Sequence, residues 1–192
     1  FAVRINELLN CDYIVVHRNS PDKRGIDVAL IYDRNIFSIE SIAAINVELP
    51  NGNPTRDILH SVLFYKKNKE KIHIYVNHWP SRIGGEHKSN INRVTAARVL
   101  KASLDSLKRN EPGSNVIIVG DFNDEPANES IQKILGAENL NCSNPRRNAL
   151  YNLAYKKYLN KEGSYLFGSM FNMIDQIIIS SSFLDGKKFD YD

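Results

Sequence analysis

Cysteine is scarce in this sequence: Cys11 and Cys142 are the only two among 192 residues. Neither lies in a Cys-x-x-Cys pair or beside clustered histidines, so the sequence argues against a structural zinc site. Two cysteines allow one disulfide bond and require none, and both redox states stay open. A chain of this length can nevertheless bury a sizeable core without metal or disulfide cross-links.

Three further features are missing. The longest uncharged apolar stretches are strand-sized, which predicts no membrane span. The sequence contains no Gly-x-Gly-x-x-Gly or Walker A motif, and this disfavours a redox or nucleotide-binding α/β domain. Neither sign of charge is in large excess, because 25 basic and 22 acidic residues leave a net charge of +3. Net charge alone therefore does not indicate a nucleic-acid-binding protein.

The segment 139–161 contains five basic residues, three tyrosines and no acidic residue. A basic surface with interleaved aromatic side chains can contact a polyanion. A solvated amphipathic helix whose tyrosines face the core explains the same pattern, and we favour that interpretation. The residues concerned are Arg146, Arg147, Tyr151, Tyr155, Lys156, Lys157, Tyr158 and Lys161.

Strand and helix signals alternate along the chain without a long linker, which predicts one mixed α/β domain over residues 1–192. The predicted strands are Tyr13–His17, Ile26–Tyr32, Ile36–Leu49, Ile58–Tyr65, Lys71–Asn77, Asn115–Val119 and Met173–Ser180. The predicted helices are an amphipathic one with Val3, Leu8 and Leu9, a long one capped by Ser89, and a short one near Glu129–Leu135. Gly163–Phe171 is predicted to be a loop or an edge strand.

Polar residues directly follow two of these strands. Asp121 and Asn123 come after an apolar strand, in the motif Gly-Asp-Phe-Asn-Asp. A carboxylate at a rigid strand end can hold a hard metal ion or position water, and an amide can donate to a phosphate oxygen. His78, after the other strand, can act as an acid or base, and Arg82 can add a phosphate contact. The non-functional alternatives are a turn after the first strand and a packed histidine after the second.

A third polar residue, Asp175, lies within the apolar run Met173–Ile179. An ionised carboxylate inside an apolar strand is costly unless it is paired. We therefore expect Asp175 to be buried and to hold a histidine or an arginine in place, as a triad carboxylate does. An outward-facing position on an edge strand is the alternative.

The order of these motifs resembles the endonuclease/exonuclease/phosphatase superfamily, which acts on DNA, RNA, lipid and inositol phosphates. The motifs are NHWPSR at His78, GDFND at Asp121 and IDQI at Asp175, and the resemblance runs from about Lys23 to Ser180. It implies a four-layer sandwich of two packed mixed β-sheets flanked by helices. It also implies nuclease-like hydrolysis of a phosphoester substrate, nucleic acid included, by metal-activated water. The implied cofactor is Mg²⁺, with Mn²⁺ or Ca²⁺ as alternatives.

The resemblance also implies roles for particular residues. Asp121 would bind the metal and position the attacking water. Asn123 would bind the scissile phosphate, and His78 would stabilise the pentacovalent phosphorane. The family's second metal ligand, a glutamate on an early strand, is expected upstream of Phe1.

Supporting roles are implied for four more residues. Asp27 would orient His78, and Arg56 would contact the substrate phosphate, as Arg82 would. Asp175 would orient a second histidine, which the family carries in a later Ser-Asp-His segment. We therefore expect this chain to be the fold truncated at both ends. The alternatives are a non-catalytic module that binds phosphorylated ligands and a lipid or inositol phosphate phosphatase of the same fold.

Overall fold

The computed structural model of the chain describes residues 2–9, 11–140 and 145–184. The strands are β1 Tyr13–His17, β2 Ala29–Asp33, β3 Phe37–Ile45, β4 Ile58–Tyr65, β5 Glu70–His78, β6 Asn115–Asp121, β7 Ala137–Asn139, β8 Leu150–Asn152, β9 Tyr165–Phe167, β10 Met170–Asn172 and β11 Asp175–Ser180. The α-helices are α1 Ala2–Leu9, α2 Glu86–Asn110 and α3 Tyr155–Leu159. A π-helical turn covers Ser130–Leu135, and a 3-10 turn covers Ser181–Leu184.

Seven strands form one mixed sheet in the order β3-β4-β5-β6-β11-β8-β7. β3, β4 and β5 pair antiparallel, β5 and β6 pair parallel across the α2 crossover, and β11 pairs antiparallel with β6 and β8. β1 with β2 and β9 with β10 form separate two-stranded antiparallel sheets. The predicted α/β class, with a large mixed sheet, a smaller sheet and flanking helices, is confirmed.

The two faces of the large sheet pack against different layers. On one face, Tyr75 contributes to a buried cluster that includes Leu100 of α2. On the other face, Ile74 and Val76 pack with a cluster that includes Val16 of β1. The alternation of side chains along β5 therefore places it between a helix layer and the smaller sheet.

Two of the helix predictions differ from the structure. α2 begins before Ser89, with Gly85 as its N-cap at φ +105°, and the Ser89 hydroxyl donates to the Gly85 carbonyl at 2.8 Å. The predicted capping role of Ser89 is therefore wrong, because glycine lets the chain turn into the helix a turn earlier. The favoured amphipathic helix over 139–161 is also wrong: Tyr151 is buried in β8, and α3 has only five residues.

Two further expectations from the sequence concern membrane spans and disulfide bonding. None of the helices in the described ranges is both long and apolar enough to cross a membrane. Cys142 lies outside the described residues, so the pairing of the two cysteines stays an open prediction.

A pair of histidines lies on the α2 side of β4 and β5. Nε2 of His60 is 3.1 Å from Nδ1 of His73, and the His60 ring stacks on Tyr75 with centroids 4.2 Å apart. Burial lowers the pKa of His60 to about 4, and the neighbouring His73 adds to this. Burial lowers the pKa of His73 as well, although the Glu111 carboxylate, 3.4 Å away, opposes the shift. Both rings are therefore neutral in the folded protein near pH 7.

This pair predicts loss of stability in acid. The unfolded chain protonates His60 near pH 6.5 and the folded chain only near pH 4, so protons favour unfolding as pH falls between these values. We expect the melting temperature to fall as the pH is lowered through that window. The melting temperature of His60→Gln should fall less steeply. Circular dichroism melts from about pH 7 to about pH 4 measure both. Parallel curves for the two proteins would contradict the assignment.

Candidate active site

Three polar side chains meet at one edge of the large sheet. β5 ends at His78, β6 ends at Asp121 and β11 begins at Asp175. Asp121 stands directly opposite His78 in the parallel pair and directly opposite Asp175 in the antiparallel pair. Nε2 of His78 lies 3.7 Å from Oδ2 of Asp121, and both side chains are about one-third exposed. Strand register therefore assembles a solvent-accessible histidine–carboxylate group from three distant parts of the sequence.

Asn123 belongs to the same group through the turn that follows β6. Its φ is +50°, and its backbone N–H donates to Oδ1 of Asp121 at 2.8 Å. Such an Asx turn is a common use of aspartate after a strand. The side-chain amide of Asn123 donates to the Trp79 carbonyl at 3.0 Å. The structure thus brings Asn123 beside His78 and Asp121, with its amide already hydrogen-bonded within the protein.

Burial is the main cause of the pKa shifts of Asp121 and His78. Burial raises the pKa of Asp121, the Asn123 N–H and His78 oppose the shift, and the negative charge of Asp175 adds to it. Burial also lowers the pKa of His78, and the nearby Arg56 charge acts in the same direction. A histidine with a lowered pKa is neutral near pH 7, so His78 can accept a proton there.

Gly120 allows the ends of β5 and β6 to approach. Its φ is +136°, and a Cβ added there would lie 1.9 Å from the carbonyl oxygen of Asn77. Side chains larger than hydrogen would both strain this backbone and clash with the neighbouring strand. The glycine of the Gly-Asp-Phe-Asn-Asp motif is therefore required by the close contact that places Asp121 beside His78.

We expect Gly120→Ala to destabilise the protein by about 2–6 kcal/mol, since backbone strain and overpacking each cost about 1–3 kcal/mol. Gly113→Ala is the matched control: Gly113 also has a positive φ, +81°, but no atom lies within 4 Å of its added Cβ. Gly113→Ala should therefore lower the stability only by the cost of the backbone strain. Urea unfolding of both variants measures the difference, and equal losses would refute the steric argument.

Arg56, which the resemblance predicts to contact the substrate phosphate, lies inside the protein at the end of β5. Its side chain is 3% exposed, and three of its nitrogens are hydrogen-bonded inside the protein. Nε donates to the His78 carbonyl at 3.0 Å, Nη2 to the Trp79 carbonyl at 2.6 Å, and Nη1 to the Asp22 carboxylate at 3.0 Å. Arg56 therefore bonds to the backbone at the end of β5, and its contact with a substrate phosphate stays a prediction.

Asp27 has partners other than His78. It accepts hydrogen bonds from the Ser20 hydroxyl at 2.6 Å and from His17 at 3.1 Å. The carboxylate within ion-pair distance of His78 is that of Asp121. The predicted orienting role of Asp27 is therefore corrected. The family resemblance implied that Asp27 faces His78, but the loop before β2 turns Asp27 towards His17 of β1.

Asp175 is exposed rather than buried, which corrects the expectation of a paired carboxylate inside an apolar strand. It is the first residue of β11, and its backbone N–H donates to the Ser164 hydroxyl at 3.0 Å. Its side chain makes no ion pair with a described residue. The alternation along β11 directs Asp175 to the same side as Asp121, where it faces solvent.

Arg82 supports the turn after β6. Its Nε donates to the Asn123 carbonyl at 2.7 Å, and its Nη1 donates to Oδ1 of Asn172 at 3.3 Å. Nη2 lies 3.9 Å from the Asp124 carboxylate and has no hydrogen-bond partner among the described residues. The structure therefore places Arg82 behind the site, and its contact with a substrate phosphate stays a prediction.

Sequence reasoning missed the buried charges that hold the site together. Asp124 is fully buried and accepts from Nε of Arg93 and from the Ser130 hydroxyl, both at 2.6 Å. Asp22 is also buried, and the Arg24 hydrogen bond, helped by Arg56, holds its pKa far below the usual value. Asp124 was visible as the last residue of Gly-Asp-Phe-Asn-Asp. Its partner on α2 looks like any other arginine in a helix.

The residues at the sheet edge fit a hard divalent cation. Like charges directly opposite each other in neighbouring strands repel, and Asp121 and Asp175 are so placed. Mg²⁺ keeps several waters and is usually bound by one or two carboxylates together with substrate phosphate. No group of three or more His, Cys, Asp or Glu side chains in the described ranges forms a complete metal cage. The two carboxylates therefore suit a cation that is shared with its substrate.

The fold and this edge define an α/β domain with a histidine–carboxylate site at the carboxyl end of its parallel strands. A model of the endonuclease/exonuclease/phosphatase family matches residues 2–192, and the chain belongs to this family. Members of the family are hydrolases that act on phosphoesters. A search of curated protein sequences finds no significant match.

Several solved structures share the fold. The human Nocturnin catalytic domain superposes with a TM-score of 0.64 at 18% identity over 94% of this chain and 65% of its own. ANGEL2, a 2′,3′-cyclic phosphatase, superposes with a TM-score of 0.67 at 15% identity, over 93% of this chain and 65% of ANGEL2. A truncated Caenorhabditis elegans TDP2 superposes with a TM-score of 0.61 at 13% identity, over 93% of this chain and 65% of the TDP2 chain. The chain thus spans about two-thirds of the length of these structures.

Proposed function

We propose that this chain carries the site of a metal-dependent phosphoesterase whose reaction is nuclease-like hydrolysis of a phosphodiester. The observation that carries the proposal is the register of the sheet, which puts His78, Asp121 and Asp175 side by side at one accessible edge. ANGEL2 in complex with adenosine-2′,3′-vanadate shows that a protein of this fold receives a nucleotide phosphoester analogue. This supports a nucleotide-containing substrate here.

The side chains divide the work by their chemistry. Asp121, held by the Asn123 N–H on one oxygen, has the other oxygen free to orient a water molecule. Neutral His78 can accept a proton or donate one to a phosphoryl oxygen. Arg56 acts through its hydrogen bond to the His78 carbonyl and is a positioning residue. The Asn123 amide nitrogen has two N–H groups; one donates to the Trp79 carbonyl, and the other can donate to a substrate phosphate.

Mg²⁺ or Mn²⁺ would be held by Asp121 and Asp175, and when bound it would polarise the phosphoryl oxygens and lower the pKa of bound water. Burial raises the pKa of Asp121, so a proton competes with the cation for this carboxylate more strongly than it would at an exposed aspartate. Binding should therefore weaken in acid, as it does for other carboxylate sites.

A second candidate is a module that binds phosphorylated ligands without hydrolysing them. Such a module would have to hold the phosphate mainly through other groups, because the nitrogens of Arg56 and one N–H of the Asn123 amide donate within the protein. A phosphomonoesterase of the same fold is a third possibility, and a Bacteroides thetaiotaomicron mannosyl-6-phosphatase shares this fold at 16% identity.

The test is hydrolysis of bis-(p-nitrophenyl) phosphate and nicking of plasmid DNA by the purified chain and by the full gene product. Each is assayed with Mg²⁺, with Mn²⁺ and with EDTA, beside p-nitrophenyl phosphate as a monoester. EDTA-sensitive diester cleavage supports the proposal. Activity on the monoester alone indicates a phosphatase. Phosphate-ligand binding without turnover by either protein indicates the binding module.

A further inference from the structure

The hairpin formed by β9 and β10 exposes an unusual amount of apolar surface. Five of its side chains are more than half exposed: Tyr165, Leu166, Phe167, Met170 and Phe171. No charged residue occurs between Glu162 and Asp175. Soluble domains rarely leave contiguous apolar surface in water unless it binds something. A two-stranded hairpin is also only marginally stable alone, so this one gains from a partner on its faces.

The base of the hairpin is attached to the candidate active site. The Asp175 N–H donates to the Ser164 hydroxyl at 3.0 Å, and Arg82 donates to Oδ1 of Asn172 at 3.3 Å. Gly163 lies against the opposite strand, where an added Cβ would be 2.7 Å from the Asn172 nitrogen. The hairpin therefore has a set position next to Asp175. A group flanking a phosphoester at this edge would meet its apolar side chains.

Basic residues precede the hairpin on the same connection between β8 and β11. Lys156 and Lys157 lie on α3, and Lys161 lies just before Gly163. All three are exposed, and none forms an ion pair with a described residue. The connection thus combines positive charge with aromatic surface, which is the combination that single-stranded nucleic acids bind.

We propose that the hairpin stacks against nucleobases next to the phosphoester and that the three lysines contact flanking phosphates. The substrate is then a single-stranded nucleic acid, because duplexes hide the faces of their bases. This inference rests on the proposed phosphodiesterase function and names its substrate class. Tyr165 and Phe167 lie on the same face of the hairpin, opposite Asn172 and Met170, and their flat rings supply the stacking surface, since stacking is tolerant of sequence.

The test measures binding without turnover. Fluorescence anisotropy in EDTA compares a labelled deoxythymidine oligonucleotide of about ten nucleotides with an abasic chain of equal length and charge. We expect the oligonucleotide with bases to bind about 5- to 150-fold more tightly, the range that one stacked base provides. Equal affinities would overturn the proposal, as would the absence of binding to both.

Two sets of variants separate stacking from charge. Tyr165→Ala with Phe167→Ala should reduce the affinity for the oligonucleotide to that of the abasic chain. Ile36→Ala, a 45% exposed apolar residue outside the hairpin, is the control and should change neither affinity. Replacing the three lysines by glutamine should weaken the binding of both oligonucleotides. The slope of log affinity against log salt concentration should become smaller in magnitude by about 2. The altered side chains are exposed, and circular dichroism confirms folding.

A membrane is the competing partner for an apolar hairpin with lysines at its base. Vesicles of phosphatidylcholine with phosphatidylserine are therefore a parallel arm. Vesicle binding that is lost in the Tyr165→Ala, Phe167→Ala variant, without base-dependent oligonucleotide binding, would overturn the proposal. The binding assay does not require catalysis. Base-dependent binding without hydrolysis would therefore contradict the proposed function alone, and hydrolysis without it would contradict this inference alone.

Discussion

Asp121→Asn is expected to lower kcat/KM for a phosphodiester by at least about 10²–10⁴, the usual cost of losing an acid–base group, with a further loss from weaker metal binding. The substitution keeps an oxygen that can accept the Asn123 N–H, which Asp121 accepts at 2.8 Å. It removes the charge that faces His78 and that would hold the cation. The turn should therefore survive while the chemistry is lost.

Two measurements separate these effects. Steady-state hydrolysis with Mn²⁺ gives the catalytic loss, and titration calorimetry with Mn²⁺ alone gives the loss of metal affinity. Asp105→Asn is the control, because Asp105 pairs with Lys101 on α2 and has no part in the proposed site. Wild-type hydrolysis by Asp121→Asn would exclude Asp121 from the reaction. Unchanged Mn²⁺ affinity would exclude it as a ligand.

Arg93→Met is expected to destabilise the protein by about 3–5 kcal/mol, the cost of removing one partner from a buried ion pair. Arg93 is fully buried and contacts Asp124 at 2.6 Å and the Ser89 hydroxyl at 2.8 Å. Burial raises the pKa of Asp124, and the charge of Arg93 opposes this shift. Without Arg93, the Asp124 carboxylate must either protonate or remain charged in the interior.

Urea denaturation measures this effect. Arg98→Met, on the exposed face of the same helix, should change stability by less than about 0.5 kcal/mol. Combining Arg93→Met with Asp124→Leu should recover much of the loss, because no unpaired charge then remains. If the double variant is no more stable than Arg93→Met, the penalty comes from lost packing and not from the buried carboxylate.

Local patterns were sufficient for most of the strands. β4 has the predicted bounds, Ile58–Tyr65, and β1 has the predicted bounds, Tyr13–His17. Alternation indicated β4 and a run of β-branched residues indicated β1, and both patterns are typical of strands. Helix starts were harder. α2 begins at Glu86 and not after Ser89, since two glycines with positive φ allow a turn that a serine cap does not predict.

The positions of His78, Asp121 and Asn123 at strand ends were readable from the sequence, because an apolar run followed by polar residues marks the end of a buried strand. Motif order also indicated the family to which the chain belongs. Strand ends and motif order can be recognised in the sequence because both depend on residues that are neighbours along the chain.

Tertiary structure alone decided which charged residues face the site. Arg56 turns inward to the carbonyls of His78 and Trp79, Asp27 pairs with His17, and Asp175 is exposed opposite Asp121. Each outcome depends on which distant segment packs against the residue, and a charged side chain at a strand or loop end is compatible with several such partners. Pairing with that partner offsets the cost of burying a charge, so the choice is made by the packed fold and not by the local sequence.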